Sequence, residues 1–486
     1  MTADADRVTL ADMPEDVSDR FGRIGRWLTV ARLENPRFIL AVWFVSRFVV
    51  LLGWVVFAPS NKGDVQYYYN AIAQMGQAGA AHTLTEYPTP VIWFMLVPWY
   101  LGGGTLTGFV FVFMSLMLAL DAAFTVTLWR AAGPLRGPAT LVWIVFLLLL
   151  GPLPFMRFDL VTSVLSGWAL LLVLRQRPVW GGGLVGVGAA IKLWPALLWP
   201  ALCGGSRRHN IKATLGVAVF GGLFALGALV YGGWDRLLSP LDYQSGRGLQ
   251  VESIWATGPM LARAFHLGDY AVTLSRFQAF EIWGTGVPGF AEAAGVAAIA
   301  GYVLIAGVYV TWWTRGAGRL MEACVLMLLV VTTLIVTNKT LSPQYLLWLA
   351  GPLASAYATM GSRNPHNRYY VADRNRLTRI TRLILAIGAL TLVVFPIGYT
   401  PLVSDTRAWT AVRVFVTLVL AVRNVGLLWL LGELLVWVVR FCSPTAFRAA
   451  RDRRPVEEPA GRLTARLKEA GERARRPVLT AKGHTR

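Results

Sequence analysis

The chain has 486 residues, of which 55% are hydrophobic and only 15% are charged. Its mean hydropathy of +0.52 requires lipid to cover the surplus apolar surface, which excludes a soluble enzyme. The 46 Lys and Arg residues outnumber the 26 Asp and Glu residues and give a net charge of +20. Because the basic residues lie in short runs between apolar stretches, as in cytoplasmic loops of membrane proteins, the charge disfavours a nucleic-acid-binding protein.

Apolar segments alternate with polar loops along most of the chain. Residues 1–36 are polar and contain no short apolar core with a cleavage site, so we predict a cytoplasmic tail and no signal peptide. Runs near twenty residues cross a hydrocarbon core about 30 Å thick as helices. The pattern predicts an all-α polytopic membrane protein with about twelve transmembrane helices. The predicted segments are 37–57, 105–129, 139–156, 159–174, 179–191, 193–204, 213–231, 294–313, 319–336, 343–360, 382–399 and 410–439.

The basic loops determine the predicted orientation in the plasma membrane. With the N-terminus inside, every arginine-rich loop falls on the cytoplasmic side, in agreement with the positive-inside rule. Two substantial segments, 58–104 and 232–293, then lie outside as structured loop regions. Residues 37–440 form the membrane domain, and 441–486 form a basic cytoplasmic tail that we expect to be disordered.

Three apolar runs are too short to cross the membrane alone. Runs 179–191 and 193–204 are flanked as a pair by basic clusters, so we interpret them as a hairpin of short helices that meet at residues 192–195. We interpret 90–101 as a juxtamembrane or re-entrant helix.

The polar mass is concentrated on one predicted face, and the sequence shows no internal repeat. Transporters usually contain related halves with a binding site near the bilayer midplane. The asymmetry therefore favours an enzyme whose active site opens to the outer leaflet. A lipid flippase or solute transporter is the alternative from another class.

Two carboxylates are candidates for a general base. Asp64 follows the first membrane helix directly, where a lipid-borne substrate would present its head group, and it could take a proton from an acceptor hydroxyl. The structural alternative for Asp64 is a helix N-cap. Glu252 lies in the other large outer segment and is the reserve candidate. Glu86 is a weaker candidate, because the neighbouring prolines suffice to explain its segment.

Two turns supply cations that could bind a phosphate. Arg157 and Asp159 lie at a predicted outer turn, where Arg157 either forms an ion pair nearby or holds a phosphate with its guanidinium fork. Lys192 is one of four lysines before the C-terminal tail, and three of the four fall on predicted outer turns, against the positive-inside trend. Snorkelling is the alternative explanation for Lys192, and we favour a phosphate anchor.

Two further polar segments carry the remaining candidate residues. Residues 247–255 combine Arg247, Gln250, a carboxylate and an aromatic residue, a set that suits a sugar phosphate. Residues 338–345 contain Lys339, Gln344 and Tyr345 at another outer turn. We predict that the substrate and the carrier phosphate contact Arg157, Asp159, Lys192, Arg247, Gln250, Lys339, Gln344 and Tyr345.

Other charged residues are interpreted as structural. Asp121 falls inside a predicted membrane helix, where an unpaired charge is costly, so we expect an internal partner for it. Arg423 and Glu433 in the last segment are interpreted in the same way. The scattered cysteines and histidines predict neither a disulfide framework nor a zinc site, and no acidic cluster calls for a metal ion.

The polar segments taken together resemble glycosyltransferase family 87, whose members have the GT-C architecture. The resemblance runs from about residue 38 to 350, and its short motifs are specific only in their joint order. The resembling positions are Asp64-Val65-x-x-Tyr68, Tyr87-Pro88, Arg157-Phe158-Asp159, Gly188-Ala189-Ala190-Ile191-Lys192-Leu193-Trp194-Pro195, Arg247-Gly248-Leu249-Gln250-Val251-Glu252-Ser253 and Ser342-Pro343-Gln344-Tyr345.

The resemblance implies a GT-C fold and a polyprenyl-phosphate-mannose-dependent α-mannosyltransferase of the actinobacterial cell envelope. The implied acceptors are glycolipids or lipoglycans, a metal ion is not generally required, and the aspartate proposed as the base in this family corresponds to Asp64. A donor with another sugar, such as lipid-linked arabinose, is the alternative among enzymes, because the motifs do not reveal which sugar hydroxyls are contacted.

Overall fold

The computed structural model describes residues 30–57, 63–315, 320–367 and 369–443. The predicted N-terminal and C-terminal tails therefore lie mostly outside the described residues. Among the described residues, the helices of eight or more residues are α1 (Pro36–Phe57), α2 (Gly63–Ala73), α3 (Pro90–Leu101), α4 (Leu106–Ala131), α5 (Arg136–Leu149), α6 (Asp159–Leu174), α7 (Pro178–Ile191), α8 (Arg207–Ser245), α9 (Thr257–Ala264), α10 (Val287–Thr314), α11 (Leu320–Thr337), α12 (Leu347–Gly361), α13 (Tyr370–Leu392) and α14 (Thr410–Cys442).

Shorter helical turns and one hairpin complete the described structure. The single α turns are Val30–Leu33, Met75–Ala78, Leu153–Met156 and Tyr399–Val403. The 3₁₀ segments are Ala80–His82, Gly133–Leu135, Trp194–Leu202, Pro343–Leu346 and Arg407–Trp409, and a π segment spans Val393–Ile397. Strands β1 (Ala271–Leu274) and β2 (Phe280–Trp283) pair antiparallel, with Val272 opposite Ile282.

The prediction of an all-α polytopic membrane protein is confirmed. Each of the twelve predicted segments coincides with a helical element. Within the part of the chain that the structure describes, seven helices are long and apolar enough to cross a membrane, and shorter apolar helices accompany them. The sidedness of the loops and of the termini stays a prediction.

The junction of the two short runs near residue 192 is confirmed, with one difference. Helix α7 ends at Ile191, and Lys192 adopts an extended conformation before the chain turns back. The second run is a 3₁₀ helix, Trp194–Leu202, and Pro200 lies inside it. A proline in a helix interior removes a backbone donor and clashes with the preceding turn, which disfavours a regular α-helix in this run.

Helix α11 lies at the centre of the bundle. Its apolar window is 83% buried, whereas those of the other six long helices are between 17% and 39% buried. Next to it, α6 and α12 approach closely at Gly351, where an added Cβ would lie 1.9 Å from the carbonyl oxygen of Ser163. Small residues allow such close backbone contact between membrane helices. This packing fixes the ends of α6 and α12, which carry site residues.

The expected internal partner of Asp121 is confirmed. Arg47 of α1 forms an ion pair with this carboxylate at 2.7 Å, and both side chains are buried. The indole nitrogens of Trp43 and Trp143 donate to the same carboxylate at 2.9 and 2.7 Å. The charge is therefore compensated inside the bundle, and Asp121 joins α1, α4 and α5.

The segment 232–293, predicted as a structured loop region, consists of helices and a hairpin. Helix α8 continues through a kink at Gly233, whose φ of +72° favours glycine, and ends only at Ser245. Helix α9 and the β1–β2 hairpin follow. The kink places the second part of α8 against the segment 58–104, so the two predicted loop regions contact each other.

Candidate active site

A cavity of about 830 Å³ lies where the two loop regions meet the helix ends. Seven of the ten predicted site residues line it. Asp159, Glu252 and Lys339 lie outside the lining. The seven lining residues are Asp64, Arg157, Lys192, Arg247, Gln250, Gln344 and Tyr345.

Asp64 lies in the first turn of α2 and pairs with Arg157. The helix dipole favours a carboxylate in this turn, so the local structure also explains the residue. One carboxylate oxygen, Oδ2, contacts the Arg157 guanidinium and accepts from the Tyr68 hydroxyl at 3.4 Å. Burial lowers the pKa of Arg157 to about 10, although the negative charge of Asp159 opposes this shift. Arg157 therefore stays a cation at neutral pH, held against Asp64.

Arg157 and Asp159 do not pair with each other, which settles one alternative left open by the sequence. The Asp159 carboxylate pairs instead with the Lys192 ammonium at 2.6 Å and accepts from the Trp348 indole at 2.7 Å. Asp159 is only 1% exposed, so it supports Lys192 from behind the cavity wall. Four aromatic rings lie 5.3–5.7 Å from the ammonium, namely those of Tyr87, Phe158, Tyr345 and Trp348.

The predicted set of four phosphate-binding cations is reduced to three at the cavity. Lys339 donates to the backbone carbonyl of Ser245 at 2.9 Å, and burial lowers its pKa. It thus ties the turn before α12 to the end of α8. Arg247 lines the cavity, and its Nε has no hydrogen-bond partner among the described residues.

Gln250 and Gln344 supply amide groups to the wall. The Gln250 amide donates to Ser342 Oγ at 2.9 Å. The Oε1 atoms of both glutamines are buried without a hydrogen-bond partner in the described structure. Next to them the Tyr345 ring stacks on Trp348 at 4.3 Å. Polar amides beside an aromatic platform suit a ligand that has both hydroxyl groups and apolar faces.

Glu252, the reserve base, is fully buried outside the cavity lining. Arg423 of α14 donates to its carboxylate at 3.2 Å and to its backbone carbonyl at 2.7 Å. Burial raises the pKa of Glu252 to about 7, although the positive charge of Arg423 opposes this shift. The geometry favours a structural role for this carboxylate, and Arg423, which was interpreted as structural, is its buried partner. Glu433 likewise pairs with Arg379.

The structure adds site residues that the sequence did not single out. Tyr67 and Trp348 line the cavity, and the weak candidate Glu86 lies there as well. The Tyr67 hydroxyl donates to Glu86 Oε1 at 2.7 Å. Tyr67 and Asp64 are three residues apart on α2, a helical spacing that could have identified Tyr67.

The chemistry available at this cavity is set by carboxylates, cations and amides. Among the described residues, no three or more His, Cys, Asp and Glu side chains come together as a metal-binding group. One carboxylate beside several cations is an arrangement suited to proton removal next to a phosphate.

The family comparison agrees with this chemistry. A model of glycosyltransferase family 87 matches residues 84–337, which is more than half of the chain and includes Arg157, Lys192 and Arg247. No curated protein and no solved structure matches the chain. The chain thus belongs to glycosyltransferase family 87 and is a multi-pass membrane glycosyltransferase.

Proposed function

We propose that the protein transfers mannose from polyprenyl-phosphate-mannose to a glycolipid or lipoglycan acceptor on the outer face of the plasma membrane, with inversion to an α-mannoside. The observation that carries the proposal is the shared cavity wall of Asp64, Arg157 and Lys192. A base and phosphate-binding cations are the groups that such a transfer needs.

Asp64 acts as the base in this proposal. The acceptor oxygen attacks the anomeric carbon, the bond from this carbon to the phosphate oxygen breaks, and the hydroxyl proton passes to Asp64. Inversion by one displacement needs no covalent nucleophile, as in inverting glycosidases. A phosphate leaving group needs no acid, so one carboxylate suffices.

The phosphate is bound by three cations, Arg157, Lys192 and Arg247, which stabilise its negative charge. The departing polyprenyl phosphate is more negative than the donor, and fixed cations stabilise charge as it develops. The proposal requires no metal ion or other cofactor. Arg157 has a second role. A phosphate competes with Asp64 for its guanidinium and so leaves the Asp64 carboxylate free to accept a proton.

The rim of the cavity supports a donor that arrives through the lipid. Leu193, Leu241 and Tyr302 belong to the lining and are 43%, 55% and 53% exposed. They continue the apolar surface that the long helices present to lipid. A polyprenyl chain can lie along such a surface while its phosphate enters the cavity.

Asp64→Asn tests the proposal. Purified protein in lipid nanodiscs is assayed with polyprenyl-phosphate-mannose, polyprenyl-phosphate-arabinose and polyprenyl-phosphate-glucose, with a glycolipid acceptor. We expect transfer from the mannose donor, and a loss of turnover of about 10²–10⁴-fold in Asp64→Asn. Asp269→Asn, an exposed carboxylate outside the cavity lining, is the matched control.

Two results would contradict the proposal. Transfer from the arabinose donor alone would show that the donor sugar is arabinose and not mannose. Near-normal turnover in Asp64→Asn would remove Asp64 as the base. Donor binding measured in parallel separates the two steps, because Asp64→Asn should bind the donor at least as well as the wild type.

A further inference from the structure

Glu86 is a second carboxylate in the cavity of Asp64, and the transfer described above leaves it without a role. Its Oε1 accepts from the Tyr67 hydroxyl at 2.7 Å, and both side chains line the cavity. Burial raises the pKa of Glu86, while the Tyr67 hydrogen bond and the guanidinium groups of Arg236 and Arg247 oppose this shift. Glu86 is therefore part of the cavity wall and not a solvated surface group.

The loop that carries Glu86 is clamped by the part of α8 that follows the Gly233 kink. Arg236, which is 2% exposed, and Ser239 donate hydrogen bonds to this loop. The acceptors are the backbone carbonyl oxygens of Thr83, Leu84, Thr85 and Tyr87, at 2.9–3.1 Å. Four such bonds hold the backbone on both sides of Glu86, which is the support that a binding residue requires.

The spacing along α2 relates Glu86 to the reacting group. Tyr67 is three residues after Asp64, so the two side chains lie on one helix face with their Cβ atoms about 5–6 Å apart. Glu86 in turn accepts from the Tyr67 hydroxyl, so all three side chains belong to the same part of the cavity wall.

Glu86 has unused capacity for hydroxyl donors. A carboxylate offers about four acceptor positions, of which the Tyr67 hydroxyl uses one. A neutral sugar supplies hydroxyl donors to the remaining positions. A carboxylate in place of the C6 hydroxyl supplies no donor at that position and is repelled by the like charge.

We propose that Glu86 and Tyr67 form an acceptor-sugar subsite, in which Glu86 accepts hydrogen bonds from the hydroxyls beside the reacting one and selects neutral over anionic sugar termini. The proposal rests on the proposed function, because it places the reacting hydroxyl at Asp64. Glu86 takes no proton in the transfer. It determines which acceptor is held there.

Binding of short alkyl mannosides to the full-length protein tests the subsite without turnover. The probes are butyl α-mannoside and its uronic acid analogue, which differ only at C6, and the dissociation constants are measured by NMR titration without donor. We expect the wild type to prefer the neutral probe. Glu86→Gln should weaken binding of the neutral probe about 5- to 10-fold, because a neutral acceptor replaces a charged one. It should also reduce the ratio of the two affinities, because the negative charge that repels the uronic acid probe is gone.

The controls keep the test decisive. The new amide in Glu86→Gln still accepts from Tyr67, and Tyr67→Phe provides a second variant that leaves the clamped loop intact. Asp242→Asn, an exposed residue of α8 outside the cavity lining, should bind both probes as the wild type does. An unchanged affinity and preference in Glu86→Gln, or no binding of the neutral probe to the wild type, would overturn the subsite.

The result is independent of the transfer assay. If the wild type binds the neutral probe in a Glu86-dependent way but transfers no sugar, the proposed function fails and the subsite stands. If transfer proceeds and Glu86→Gln alters neither affinity nor preference, the subsite fails and the proposed function stands.

Discussion

The buried pair of Glu252 and Arg423 gives a direct test of whether Glu252 is a base or a structural residue. Both side chains are 0% exposed, and the charges are 3.2 Å apart. Glu252→Gln leaves the Arg423 charge buried without a counter-charge. Breaking a buried pair in this way costs about 3–5 kcal/mol of stability. We therefore expect a large fall in thermal midpoint in detergent, with turnover per folded molecule largely retained at low temperature.

The matched control is Glu433, which lies on the same helix as Arg423. Glu433 of α14 pairs with Arg379 at the same 3.2 Å, but the Arg379 side chain is 68% exposed. Because the protein does not enclose the Arg379 side chain, Glu433→Gln leaves no charge buried in the protein interior and should cost much less stability than Glu252→Gln. The double variant Glu252→Gln with Arg423→Met should regain part of the lost stability, because it removes the unpaired charge. A thermal midpoint of Glu252→Gln equal to that of Glu433→Gln, with turnover lost about 10²-fold or more, would refute this reasoning and make Glu252 a catalytic group.

One further prediction follows from the placement of the cations. Arg247→Ala should reduce transfer about 10- to 150-fold through loss of a charge-assisted hydrogen bond. Lys339→Ala, outside the cavity lining, should reduce transfer far less, and equal losses in the lipid-donor assay would contradict the assignment.

The membrane helices could be predicted from the sequence because their signal is local. A run of apolar residues near twenty long has few alternatives in lipid, and each predicted run is helical. The kink at Gly233 was missed, because a glycine within a helical pattern does not reveal its φ. The β1–β2 hairpin was missed as well, since it is short and lies in a segment without clear alternation.

The candidate residues could also be predicted, but their partners could not. Asp64 and Arg157 were each noted for their chemistry, yet 93 residues separate them and nothing local indicates that they pair. The same holds for Asp159 and Lys192. Proximity along the chain left open a pair between Arg157 and Asp159. The helix start at Asp159 places its carboxylate in the buried interior, where it pairs with Lys192 instead.

Charge compensation connects these pairings to the order of the proposed reaction. An uncompensated cluster of cations beside lipid would be costly, and the structure gives Arg157 and Lys192 a carboxylate each. Lys192 is bound to a carboxylate that lies outside the cavity lining, so a phosphate can add to this pair without displacing Asp159. Arg157 is bound to the carboxylate proposed as the base, so a phosphate that takes the same guanidinium nitrogen displaces Asp64. In the proposed reaction, donor binding would therefore precede the appearance of a free base, and an acceptor hydroxyl would meet an available Asp64 only when there is a donor to attack.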